Sequence, residues 1–292
     1  MSAAGGKEGG WTTMKIDPEI FEELGVRDPE ETKREMAISK RVRQVRKELK
    51  SDPDNIELHL ELGRLFIDGA EFEEAIKQLR QIISRDSQNG PAYKLLGTAY
   101  AMSNHEDEAT RELTRAAELL REDPEVHMNL GGVFMLQDMY DSAARCFGKV
   151  IELDPMDRLG YANLAAAYDC DRKYDEEIQV LKKILMFSPE DIELRSALST
   201  AYFNSENYDE ALNHALCVIE LDEKDPQAYC NLGSCYSAQN MVDEAVKAFQ
   251  KASEIDPDYS LPHTNLGSLY ATIGRIEKAI KEFKMATNMN QS

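Results

Sequence analysis

Seven blocks on a period of 34 residues follow one another from Ile56 to the C-terminus, with no residue inserted or deleted between them. Leucine holds the seventh position of each: Leu62, Leu96, Leu130, Leu164, Leu198, Leu232 and Leu266. An aromatic follows four residues later: Phe66, Tyr100, Phe134, Tyr168, Tyr202, Tyr236 and Tyr270. Alanine fills the twentieth position in six blocks: Ala75, Ala109, Ala143, Ala211, Ala245 and Ala279. A fixed period of this length means that each block is one structural unit that cannot bury its apolar face alone and must stack on its neighbours.

Within a block, positions 4, 7, 8 and 11 form one stripe at helical spacing, and positions 20, 24 and 27 form another. Polar or helix-breaking pairs separate the stripes, among them Ser103-Asn104, Asn204-Ser205 and Ile273-Gly274. Asp-Pro steps close the units at Asp52-Pro53, Asp123-Pro124, Asp154-Pro155, Asp225-Pro226 and Asp256-Pro257. Aspartate there can cap the next helix, and proline suits its first turn. No stretch alternates with period two over strand length, so the chain is expected to be all-α.

These residues resemble the tetratricopeptide repeat (TPR), a helix-turn-helix unit with a large residue at 4, Leu-Gly at 7 and 8, Tyr at 11, Ala at 20, an aromatic at 24, a small residue at 27 and Pro near 32. The block at Pro226 carries Tyr229, Leu232-Gly233, Tyr236, Ala245, Phe249, Ala252 and Pro257. The resemblance implies a right-handed α-α superhelix, a TPR solenoid of seven repeats: 56–89, 90–123, 124–157, 158–191, 192–225, 226–259 and 260–292. Departures fall at Ala165 and Ser199 in position 8 and at Glu177 in position 20. A carboxylate where two helices approach closely is costly unless it turns outward or finds a partner.

Residues 1–28 read differently. The first ten are Gly-rich, and Asp17-Pro18-Glu19 with Ile20, Phe21, Leu24 and Gly25 reads as a short capped helix. Asp28-Pro29-Glu30-Glu31 then supplies the start of a longer helix within 29–55, with the apolar stripe Ile38, Val42, Val45 and Leu49. We read this as the second helix of a degenerate repeat, capping the N-terminal end of the stack. It also carries Lys33, Arg34, Lys40, Arg41, Arg43, Arg46, Lys47 and Lys50. Such a helix can bind nucleic acid, a membrane or an acidic partner, but its narrow aliphatic stripe and the abundant acid of its own chain favour a solvated cap.

Charge narrows the partners. The net charge is −20, and residues 1–55 contribute only −1, so the repeats hold the remaining −19. Phosphate neutralisation supplies most nucleic-acid affinity, so a body this acidic argues against nucleic acid as a partner. No apolar run approaches the roughly 20 residues of a membrane span, and no signal peptide is visible. The five cysteines have neither metal-ligand spacing nor a disulfide framework, which points to a reducing, cytoplasmic setting and to no metal.

In the family, the side of the first helix opposite positions 4, 7, 8 and 11 lines a concave groove, at positions 2, 5, 6, 9, 12 and 13. Position 6 here is Asn129, Asn163, Asn231 and Asn265 in four repeats. Asparagine costs roughly 0.6 kcal/mol against alanine inside a helix, so its recurrence needs a reason. A side-chain amide offers one donor and one acceptor edge, as an extended peptide backbone requires. The arrangement resembles the asparagine ladders of TPR superhelices such as the O-linked N-acetylglucosamine transferase repeats. Met102, Met128, Met135 and Leu136 give the groove adaptable apolar contacts. The Lys/Arg/Asn cluster with which chaperone-binding repeats grip a C-terminal carboxylate is not evident, since only Arg64 and Lys94 are basic at those positions.

His59, His127 and His263 occupy position 4, a packing position, and no phosphate loop, nucleophile elbow or His–carboxylate motif appears. The sequence therefore reads as a non-catalytic scaffold without cofactor, binding an extended, mainly neutral or apolar peptide of a protein partner. The alternative is a structural protein that forms a homo-oligomer through its C-terminal repeat, where Ile280, Phe283, Met285 and Met289 precede Ser292 with no further capping helix.

Overall fold

The computed structural model describes residues 29–289. The Gly-rich stretch 1–10, the short helix read over Asp17–Gly25 and the Asp28 cap lie outside the described residues. Among the described residues there are fifteen α-helices and no strand. The chain divides into two compact units, one ending at His105 and the other beginning at Glu106.

The first unit holds α1 (Pro29–Ser51), α2 (Ile56–Asp68), α3 (Phe72–Arg85) and α4 (Gly90–Met102). Val42 and Val45 of α1 are buried, as the apolar stripe requires. Arg41 grips Glu61 of α2 with two parallel hydrogen bonds, Nε to Oε1 at 2.5 Å and Nη2 to Oε2 at 2.8 Å. This fork raises the Arg41 pKa and lowers that of Glu61, the hydrogen bond being the largest cause in both. Arg46 lies over the Phe66 ring, 5.5 Å from its centroid. Two of the eight cations of α1 are thus engaged in holding the cap to the first repeat.

The second unit holds α5 (Glu106–Leu119), α6 (Pro124–Leu136), α7 (Tyr140–Leu153), α8 (Arg158–Cys170), α9 (Tyr174–Phe187), α10 (Ile192–Asn204), α11 (Tyr208–Leu221), α12 (Pro226–Ala238), α13 (Val242–Ile255), α14 (Leu261–Thr272) and α15 (Ile276–Met289). Each helix packs on the next, and α10–α12 and α12–α14 also pack directly. Polar links tie repeats together. Gln239 at the end of α12 donates to Asp209 of α11 at 2.8 Å, and Lys173 pairs with Asp141 of α7.

The turn inside each repeat is the same in all seven. Position 15 has a left-handed backbone at Ala70, Asn104, Asp138, Arg172, Glu206, Asn240 and Gly274, with φ from 55° to 74°. The next amide reaches back to the carbonyl of the position-11 aromatic, for example Met139 N to Phe134 O at 2.8 Å and Met241 N to Tyr236 O at 2.8 Å. This six-to-one bond satisfies carbonyls that a helix end otherwise leaves open. Asn204 and Ser205, read as a breaker pair, precede the turn: Asn204 still closes α10, and Glu206 makes the left-handed step.

Caps follow the same period. Asp123 and Asp225 cap α6 and α12 with proline at the first turn, as their Asp-Pro steps suggest. Asp154 and Asp256 do something else. They end α7 and α13, and their side chains accept from the amides of Met156 and Asp258 at 3.0 Å. Three residues after Asp154, Asp157 caps α8 by accepting from Gly160 N at 2.8 Å. The Asp154 loop is therefore a side-chain-stabilised turn followed by a cap, whereas the Asp256 loop has the turn but no side-chain cap at Ser260.

Position 8 sets how closely the two helices of a repeat approach. A Cβ on Gly131 would lie 2.5 Å from the Phe147 ring, and one on Gly233 would lie 2.6 Å from Phe249. Position 24 is Phe147 and Phe249 in those two repeats, Leu181 in the repeat of Ala165 and Ala215 in that of Ser199. Ser199, fully buried, donates to Ala211 O at 2.8 Å. Glu177 neither turns outward nor finds a full partner. It is 7% exposed, and its Oε2 is buried without a hydrogen bond. Burial, and then the charge of Asp169, push its pKa up to about 7.

Candidate functional site: the face opposite the packed stripe

In the second unit the first helices α6, α8, α10, α12 and α14 bury Leu130, Leu164, Leu198, Leu232 and Leu266 on one side. Winding at 100° per residue leaves the opposite side for positions 2, 6, 9 and 13, with 5 and 12 on its flanks. Ala162, Ala166, Thr200, Thr264 and Ser268 are exposed on it, and Asn129, Asn163, Asn231 and Asn265 are half-buried. Leu136 is 62% exposed, whereas Met128 and Met135 are half-buried and pack partly against the core. Met102 closes α4 in the other unit and is 54% exposed.

Two of these residues meet. The Asn163 amide donates to the Sδ of Met128 at 3.1 Å, across neighbouring repeats. Asn231 belongs to a relay: Tyr259 Oη donates to Gln227 Oε1, and Gln227 Nε2 donates to Asn231 Oδ1 at 3.0 Å. The Asn231 Nδ2 is buried with no partner. Burial raises the Tyr259 hydroxyl to about 12, which keeps it a neutral donor.

Asn265 lines a cavity of about 310 Å³ that sequence reasoning did not single out. Phe203, Ser237 and Thr272 line it as well, together with Ser234 and Ser268. The signal was present, because these three stand at positions 12 and 13 of repeats five to seven. Cys230 is the converse case. Position 5 places it at the margin of the groove, yet it is 1% exposed, in a cluster packed by Tyr229 and Tyr259. Burial lifts its thiol to about 12, far from a reactive thiolate.

The position-4 histidines are engaged in packing. His59 donates Nε2–H to Pro53 O at 2.8 Å and accepts at Nδ1 from Gln78 at 2.6 Å. His127 bonds Arg121 O at 3.1 Å, and the buried His263 bonds Glu282 at 2.7 Å. The face so built offers amides, hydroxyls and methionine sulfur, which suits it to holding a ligand by contact. Among the described residues no helix is long and apolar enough to cross a membrane.

Models of the tetratricopeptide repeat match residues 35–116, 226–259 and 248–281. With the helix pairs, turns and small-residue contacts above, this makes the chain a member of the tetratricopeptide repeat family. Members are typically non-catalytic scaffolds for protein–protein interaction. No curated protein matches the sequence. Among solved structures, the C-terminal part of a TPR repeat-containing protein from Cytophaga hutchinsonii is similar, with a TM-score of 0.62 at 14% identity, over 80% of this chain and 96% of that one. YrrB, described as a TPR protein with an unusual peptide-binding site, gives 0.52 at 21% identity, over 63% and 95%. MamA from Desulfovibrio magneticus gives 0.51 at 21% identity, over 57% and 95%. At these identities the likeness is one of fold.

Proposed function

We propose that the protein is a non-catalytic cytoplasmic scaffold that takes an extended, mainly neutral or apolar peptide along the groove of its repeats. The observation that carries this is the row Asn129, Asn163, Asn231 and Asn265 on one half-buried face. The Asn163 amide is held there by a thioether, a weak acceptor that a peptide carbonyl displaces readily. Met128, Met135 and Leu136 supply apolar contact beside it. The test is peptide selection from a random display library on the intact chain, followed by Asn129→Ala with Asn163→Ala. Capture should weaken at unchanged helicity; unchanged capture contradicts the ladder.

A second reading rests on α15. Ile276, Ile280 and Phe283 recur at helical spacing and are 56%, 51% and 39% exposed. An apolar helix face of this kind suits association of two copies. Sedimentation over a broad concentration range tests it: mass should grow with concentration and return to one chain in Ile280→Lys. A single-chain mass throughout contradicts it.

A further inference from the structure

The cavity between α10, α12 and α14 has a polarity of its own. The hydroxyl of Ser234 donates to Cys230 O at 2.9 Å, that of Ser268 to Thr264 O at 3.0 Å, and that of Thr272 to Ser268 O at 2.9 Å. A hydroxyl has one proton. With that proton turned back into its own helix, each oxygen can only accept a bond from whatever enters the cavity. Three polar atoms of the wall are thus fixed as acceptors, and no Lys, Arg or His lines the cavity.

The surroundings act in the same direction. Residues 106–292 carry 18 basic and 35 acidic side chains, net −17. The potential of such a body concentrates cations at its clefts and repels anions. Phe203, half-buried at one side, provides aromatic surface against which a long aliphatic stem or a cation can lie.

We infer that this cavity receives a lysine or arginine side chain of the peptide, its N–H groups bonding to the Ser234, Ser268 and Thr272 oxygens. The inference rests on the peptide-scaffold reading and assigns one specificity site within it. An aliphatic side chain would make no use of the three acceptors. A carboxylate would meet those three acceptors and a negative field, with only the neutral donors of Asn265 and Ser237 to pair with. The Asn265 amide, on the same wall, is placed to hold the adjoining main chain.

The test uses three acetylated and amidated peptides of alternating Gly and Ser, with Lys, norleucine or Glu at the centre, titrated into the intact protein by NMR. The Lys peptide should bind roughly tenfold tighter than the other two at low salt, the ratio that 1.4 kcal/mol produces. The preference should shrink as salt is added. It should vanish in Ser234→Ala with Ser268→Ala, which keeps the same or a higher melting temperature because alanine is the better helix former. Norleucine or Glu binding as well as Lys overturns the assignment, as does a preference that survives the double variant. Equal binding of all three that is lost in Asn163→Ala overturns the cavity assignment and leaves the scaffold reading standing. Binding of none overturns the cavity assignment, and the scaffold reading is then decided by the library-selected peptide.

Discussion

The side chains of Asn163 and Met128 are joined by a 3.1 Å N–H···S contact between α8 and α6, on the side of each helix turned away from its packed stripe. The bond gives up a good donor to a weak acceptor, in a helix where asparagine is itself a poor choice. Asn163→Ala should therefore leave stability unchanged or raise it by about 0.5 kcal/mol, from helix propensity alone. Thermal melting checks this. A loss of more than about 1 kcal/mol, typical of a lost structural hydrogen bond, would show that Asn163 serves the fold rather than a ligand.

Gly131 and Gly132 are neighbours with opposite expectations. A Cβ on Gly131 lands on the Phe147 ring at 2.5 Å, whereas one on Gly132 meets nothing within 4 Å. Gly131→Ala should destabilise by about 1–3 kcal/mol through overpacking. Gly132→Ala should stabilise by about 0.5–1 kcal/mol, since alanine costs less helix entropy. Urea unfolding of the two variants decides; equal shifts would refute the packing account.

Glu177 gives the protein a stability that depends on pH. Its carboxyl has an ordinary value of 4.5 and rises to about 7 in the fold, through burial and the charge of Asp169. Between those values the folded chain holds a proton that the unfolded chain has released. This contribution is therefore full below about pH 4.5 and is lost as pH rises through 7. At 1.36 kcal/mol per unit, the loss approaches about 3 kcal/mol. Glu177→Ala, which restores the residue found at position 20 of the other six repeats, should stabilise at pH 8 and flatten the profile between pH 5 and 8. A parallel profile for the variant would place the titration elsewhere.

The repeated turn offers a further check. Glu206 and Arg172 hold left-handed backbone at φ 62° and 57°, which costs an L side chain roughly 1 kcal/mol. Glu206→Gly should stabilise by about 0.5–1 kcal/mol despite glycine's greater unfolded entropy. Gly274→Ala should destabilise by about 1 kcal/mol. Both are read from chemical denaturation midpoints.

The period alone made the helix pairs and the buried Leu row legible, because each depends on spacing within one block. The left-handed step at position 15 was not, since its residue is glycine only at Gly274 and is otherwise as varied as Ala70, Arg172 and Glu206. There the backbone bond to the position-11 carbonyl, rather than residue type, fixes the geometry. Asp154 and Asp256 looked like caps but serve the turn before the cap, a distinction that depends on where the preceding helix ends. In the groove, the positions of Asn163 and Asn265 followed from helical winding. The cavity did not, because its walls come from Phe203, Ser234 and Ser268 in three successive repeats and exist only once the repeats are stacked. Cys230 differs in another way: its cover is Tyr259, from the loop that closes its own block, which the winding of the first helix alone does not reveal.

The central claim is that a peptide lies along the first helices of the second unit, and the methionine methyl groups report on it directly. Met128 and Met135 stand on that face, while Met186, at the end of α9, is 80% exposed away from it. With ¹³C-methyl methionine and a peptide selected on the intact chain, the Met128 and Met135 signals should shift on binding while Met186 stays in place. A shift of Met186 with Met128 and Met135 unmoved would put the ligand elsewhere and contradict the account.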